Sequence, residues 1–260
     1  MNVVAVCQFN PIIGAVEYNL KQLLKLARNA FHMGADYFIA PELALCGYPP
    51  KDIILNYDFI KICNFNLKKL AEISPIPILL GAPEWDGGQI FNSAFLCFND
   101  KINIVARKQL LPNYGVFDEK RYFTAGTKTK FYGFESENKR FGVSICEDAW
   151  ANRIFCKDLL PIIYNNDPIK NLVSKFKIDI LINLNASPFE KNKIKLRETL
   201  FRCLAKYYRK PLISVSQVGA NDGLIFDGGS MAINRKGDVL SKVENFKEGL
   251  FLINIQSLLK

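Results

Sequence analysis

The chain has 260 residues, 49% hydrophobic and 23% charged, with a formal net charge of +9. That composition is too apolar for a disordered chain, and the length allows a large buried core. No apolar run approaches the roughly eighteen residues of a membrane span, and the amino terminus MNVVAVCQF lacks the basic region of a secretory signal. Cytoplasmic placement is the expectation.

The run Val3 to Phe9 (VVAVCQF) is β-branched and reads as a strand. Leu20, Leu23, Leu24, Ala27 and Phe31 then recur at helical spacing and predict an amphipathic helix. Tyr37 to Ala40 (YFIA) reads as a compact buried strand stopped by Pro41. Phe59, Ile62, Cys63, Leu70 and Ala71 mark a second helix, and Pro77 to Gly81 a further strand. Phe91 to Phe98 and Ile102 to Arg107 flank Asn99-Asp100-Lys101, which predicts a hairpin with a tight turn.

Phe141 to Ile145 and Asp179 to Leu184 predict two more buried strands, while Asn152 to Phe176 between them shows no clear period. Arg197, Leu200, Phe201, Leu204 and Tyr208 share one helical stripe. Pro211 to Ser216 reads as a strand, and the segment around Arg235-Lys236-Gly237-Asp238 as a late hairpin. Early strand–helix alternation with interspersed hairpins predicts an α/β fold of mixed sheet with helices outside, in one domain.

The seven cysteines are odd in number and form no CxxC pair, which suits reduced thiols better than a disulfide framework. The single histidine, His32, lies near the end of the first predicted helix, where a surface or capping role is the simpler reading. A histidine-dependent triad, dyad or metal site would need that one residue. Proton transfers therefore fall to Glu, Asp, Lys or Cys, and no metal or cofactor is implied. The lysines are scattered, and even the densest stretch, Glu190 to Arg197, keeps apolar positions at helical spacing. The positive charge reads as a solvated surface, with neither nucleic acid nor membrane as a partner.

Three places look like sites at strand ends. Glu42 follows the YFIA strand in Ala40-Pro41-Glu42-Leu43, where open α/β folds place their chemistry, although taken alone a solvated loop glutamate is the simpler reading. Lys108 follows a hairpin strand in Val105-Ala106-Arg107-Lys108 and could point one cation inward. Cys146 ends a strand in Gly142-Val143-Ser144-Ile145-Cys146-Glu147-Asp148, and two acids follow it at once. A nucleophile on such a turn is presented while nearby N–H groups converge on an oxyanion. A buried structural cysteine is the alternative, and the flanking acids argue for exposure instead. Without histidine, a desolvated glutamate can act as base and a lysine can favour the thiolate, which makes acyl transfer the chemistry that fits.

Glu42 in PELALCGYPPKD, Lys108 before YGVFDEKRYF and Cys146 in ICEDAW resemble the Glu-Lys-Cys triad of the nitrilase, or carbon–nitrogen hydrolase, superfamily. With NASPF and VGANDGLIFDGGS, these words are most similar to the glutaminase domain of glutamine-dependent NAD synthetases. The resemblance implies a four-layer α-β-β-α sandwich that pairs through helices into a dimer or larger homo-oligomer. It implies Glu42 as general base, Cys146 as nucleophile, Lys108 as oxyanion stabiliser and Glu119 as a second glutamate beside them. The backbone N–H of Glu147 would complete the oxyanion hole, and Tyr48, Tyr114, Ser187 and Lys193 would surround a glutamine head group.

The sequence departs from that family at Asn192, where a glycine is usual, and at Asn221 and Gly223, where glutamine and glutamate are more frequent. No Ser-Gly-Gly-x-Asp-Ser pyrophosphate loop occurs, since Phe226 to Met231 reads as a turn. The expectation is one glutaminase-like domain over 1–260, without the ATP-binding synthetase domain, supplying ammonia to a separate NAD synthetase subunit. An independent amidase for another small amide and a catalytically silent regulatory subunit remain the alternatives.

Overall fold

A computed structural model describes residues 2–127, 130, 132–151 and 164–260. Two six-stranded mixed sheets form its centre. The first runs in the order β14 (Gly249–Asn254), β1 (Val3–Gln8), β2 (Tyr37–Ile39), β3 (Ile78–Asp86), β4 (Gln89–Phe98) and β5 (Lys101–Arg107). The second runs β13 (Val239–Lys242), β12 (Met231–Ile233), β9 (Leu212–Ser216), β8 (Ile180–Asn185), β7 (Lys139–Ile145) and β6 (Gly133–Ser136). A hairpin of β10 (Val218–Asn221) and β11 (Leu224–Asp227) stands apart from both.

Side-chain alternation explains the layering. Along β1, Val4 and Val6 join a core shared with Val143, Ile182 and Val215 of the second sheet. Ala5 and Cys7 turn the other way, against Leu20, Leu23 and Leu24 of α1 (Val16–His32) and Cys63, Leu67 and Leu70 of α2 (Tyr57–Ile73). A strand buried on both faces reads as an unbroken apolar run, which VVAVC is. On the far side, Leu200, Phe201 and Leu204 of α4 (Lys193–Tyr208) pack on the second sheet. The expected α-β-β-α sandwich is the observed architecture.

In each sheet three adjacent strands run parallel, β1-β2-β3 and β7-β8-β9, with antiparallel strands on both sides. The carboxyl ends of the two triplets meet. The N–H of Val218, just past β9, donates to the carbonyl of Phe9, just past β1, at 3.0 Å. Three of the segments singled out from the sequence leave strands at or near this junction.

Several boundaries differ from expectation. The hairpin turn is only Asn99-Asp100, both left-handed at φ 47° and 60°, and Lys101 already belongs to β5. Phe31 and Ile62 lie on the outer edge of their helices, about half exposed, so the buried stripe is narrower than its apolar letters. The unperiodic stretch holds a short helix, α3 (Pro168–Ser174), started by Asp167, whose side chain accepts the N–H of Lys170 at 2.9 Å, with Pro168 in the first turn. Residues 152–163, including Cys156, lie outside the described residues. His32 is exposed at the end of α1. Among the described residues no helix is long and apolar enough to cross a membrane, and no group of His, Cys, Asp and Glu could hold a metal ion.

Candidate active site

Glu42 sits in the tight loop after β2, where Leu43 adopts φ 46°. The loop presses on β3 at Gly81. A Cβ there would lie 2.1 Å from the nitrogen of Leu43, so only glycine admits the approach. The Glu42 carboxylate is fully buried rather than solvated. Its Oε1 accepts from Asn92 Nδ2 at 2.7 Å and Lys108 Nζ at 2.8 Å, and its Oε2 from the N–H of Ala186, just past β8, at 2.9 Å.

Lys108 lies one residue beyond β5. Arg107 before it points outward to Glu84 and Asp86, so alternation turns Lys108 inward. Its main chain is held on both sides, by the carbonyl of Asn92 and the N–H of Gly126, each at 2.8 Å. Besides Glu42, the ammonium meets Glu119 Oε1 at 2.6 Å, and Tyr48 donates its hydroxyl to the same oxygen at 2.8 Å. Burial works against a charge on Lys108, but Glu119 and Glu42 outweigh it and hold the ammonium's pKa well above its usual value. Burial also pushes Glu119 up to about 7, against the pull of Lys108.

Cys146 opens a short 3-10 turn, Cys146–Ala149, directly after β7, at φ 46°. Cys146 is 5% exposed and borders a cavity of about 680 Å³, whose wall also includes Tyr114, Glu147, Trp150, Ser187 and Lys193. Glu42, Lys108, Glu147 and Glu119 all act electrostatically on it. Burial first, and then Glu42, raise its pKa well above that of an ordinary thiol and outweigh Lys108. Lys108 pulls the thiol pKa down, as expected of a neighbouring cation, but Glu42, Glu147 and Glu119 act in the opposite sense.

The flanking acids do not signal exposure either, because both are buried with Cys146. Each is satisfied locally. Glu147 Oε1 accepts the hydroxyls of Tyr114 and Tyr164 at 2.9 and 2.8 Å, and Asp148 accepts three main-chain N–H groups. A buried thiol, a buried carboxylate that acts on it electrostatically and a buried ammonium hydrogen-bonded to that carboxylate form a set suited to acyl transfer.

The family described as carbon-nitrogen hydrolase matches residues 3–259. The chain belongs to the carbon–nitrogen hydrolase family. It is 40% identical over 98% of its length to the glutamine-dependent NAD(+) synthetase of Synechocystis sp., and 35% identical over 95% to that of Acinetobacter baylyi. It covers 46% and 43% of those proteins, so the chain spans less than half the length of the relatives it matches. The solved glutamine-dependent NAD+ synthetase of Acinetobacter baumannii superposes with a TM-score of 0.86 at 34% identity, over 96% of this chain and 45% of that one. An amidase from Nesterenkonia sp. superposes at 0.80 with 19% identity, over 98% of this chain and 90% of that one, and shares the fold.

The hydrolase thus brings Glu42, Lys108, Glu119 and Cys146 together from four separate segments. Tyr114, Ser187 and Lys193 lie on the cavity wall with Cys146. Tyr48 is set behind them, buried, with its hydroxyl on Glu119. Lys193 reaches Glu190 at 2.8 Å. Sequence reasoning missed Asn92, Tyr164, Asp148 and the main chain of Ala186. Asp148 stood beside the nucleophile and signalled only polarity; Asn92, in the middle of β4, carried no local signal of its own.

Proposed function

We propose that this carbon–nitrogen hydrolase is a glutamine amidohydrolase that releases ammonia for NAD synthesis, with the synthetase activity on the same or another polypeptide. The observation that carries the reading is the Lys108 ammonium held between Glu42 and Glu119 next to the Cys146 thiol at the wall of a cavity. The cavity wall also carries both signs of charge, on Glu147 and Lys193. A zwitterionic amino-acid amide suits that pairing better than a neutral amide does.

In the proposed reaction Glu42 takes the proton from Cys146 as sulfur attacks the side-chain carbonyl carbon of glutamine. Negative charge develops on the carbonyl oxygen, where Lys108 and the N–H of Glu147 stabilise it. Each such donor is worth roughly 3–4 kcal/mol of barrier in other hydrolases. Collapse of this intermediate breaks the C–N bond, and the proton held by Glu42 leaves with nitrogen as ammonia. A water then gives its proton to Glu42 and its oxygen to the thioester carbon. The C–S bond breaks, the proton returns to sulfur, and glutamate departs. A thiol pKa raised by burial suits this scheme, because base and nucleophile act together and no free thiolate is needed.

The resemblance carries two further parts of the proposal, a homo-oligomer and an NAD synthetase that consumes the ammonia. The test is glutamate release from glutamine against a panel of small amides, with and without an NAD synthetase and its adenylated substrate. Glutamine is expected to be the preferred amide, with release rising when the synthetase turns over. Preference for another amide, or partner stimulation that survives Cys146→Ala intact, would contradict the reading.

A further inference from the structure

Asp148 is buried, and the three hydrogen bonds of its carboxylate all come from main chain. Oδ1 accepts the N–H groups of Gln109 at 3.0 Å and Leu110 at 2.9 Å. Oδ2 accepts the N–H of Ile145 at 3.1 Å. Gln109 directly follows Lys108, and Ile145 directly precedes Cys146. One side chain therefore fastens the lysine-bearing segment to the cysteine-bearing turn. β5 and β7 belong to different sheets, so no strand pairing sets the register of one against the other.

The turn needs such a fastening. Cys146 adopts φ 46°, a conformation that a residue with a Cβ adopts only where its surroundings over-determine it. A carboxylate is also the group the place demands. It offers acceptors on both oxygens and no donor, so it can face N–H groups on two sides at once. An asparagine in the same position keeps one acceptor oxygen and sets an N–H₂ against the remaining N–H donor.

We propose that Asp148 is a positioning residue that fixes Cys146 relative to Lys108 before substrate enters. The inference rests on Cys146 being the nucleophile, as proposed above. Asp148 touches neither the cavity nor the reacting atoms, and its effect is transmitted through the main chain at Ile145, Gln109 and Leu110. Burial also pushes its carboxyl up to about 7, so it resides at the junction at an electrostatic cost that a filler side chain would avoid.

The test compares wild type with Asp148→Asn and Asp148→Glu, each checked for folding by circular dichroism. Glutamine turnover is expected to show a split: kcat falls about 100-fold, the scale of a misplaced reacting group, while KM stays within about threefold. A second readout needs no amide. Iodoacetamide alkylation of Cys146, followed by peptide mapping, is expected to be nearly flat between about pH 7 and 9 in the wild type, where Glu42 assists the attack. In the variants it rises towards tenfold per pH unit, as for an unassisted thiol. A folded variant that keeps more than about a third of wild-type kcat and the flat alkylation profile overturns the proposal. Failure of both variants to fold overturns it too, by making Asp148 a folding residue only. A wild type that hydrolyses no glutamine would instead sink the substrate reading, and the alkylation profiles would still decide the role of Asp148.

Discussion

The Nζ of Lys108 lies 2.6 Å from Oε1 of Glu119, with both side chains shut off from solvent. Glu42 shares the same ammonium, so one cation is held by two carboxylates. Removing one partner of a buried ion pair strands the other, at about 3–5 kcal/mol. Lys108→Met is therefore expected to lower urea-unfolding stability by about that amount and to abolish turnover. Glu119→Gln keeps an acceptor oxygen for Lys108 and Tyr48 and costs less. Equal, small losses in both variants would show that the pair carries no such strain.

Glu119 gives a signed pH prediction. Burial raises its pKa to about 7, whereas an unfolded glutamate titrates near 4.3. Between these values the folded chain holds a proton that the unfolded chain has released. Stability therefore falls as pH rises through that window. Glu119→Gln cannot titrate, so wild type should lose stability relative to the variant between about pH 4 and 7. Parallel stability curves for the two proteins would rule this out.

Gly81→Ala should act on a residue it does not touch chemically. The new Cβ meets the Leu43 nitrogen at 2.1 Å and the Glu42 backbone at 2.7 Å, all of it main chain that cannot swing aside. Forced overpacking of this kind costs typically about 1–3 kcal/mol. The loop carrying Glu42 shifts, and kcat should fall with it. A stable, fully active Gly81→Ala protein would mean that the loop is softer than its packing.

Charge on the cavity wall should govern binding more than chemistry. Lys193→Met and Glu147→Gln are expected to raise KM for glutamine about tenfold or more, with kcat changed less than about threefold. In Glu147→Gln the amide oxygen still accepts from Tyr114 and Tyr164, so the wall keeps its shape. A loss confined to kcat would move these residues from substrate binding to the reaction itself.

Much of the fold was legible because burial writes itself into short patterns. β1 reads as a strand since both of its faces are covered, and Asn99-Asp100 announces a hairpin through two residues that tolerate positive φ. β14 was missed because GLFLIN shows neither alternation nor a turn of its own kind; it is a strand by virtue of pairing with β1 from the other end of the chain. The Glu42, Lys108 and Cys146 trio stood out only as words at strand ends. Their support did not, because Asn92 and Asp148 act on partners 50 and 38 or 39 residues away. The balance of charge at Cys146 was not legible for a related reason: Glu42, Glu119 and Glu147 oppose Lys108 there, and only the fold brings all four to the sulfur.

The most direct measurement is acid quench of the enzyme during glutamine turnover, followed by mass spectrometry of the peptide containing Cys146. The account predicts a γ-glutamyl adduct on that cysteine, removable by hydroxylamine and absent from Cys146→Ala. Steady release of glutamate with no adduct, or an adduct on another side chain, would contradict it.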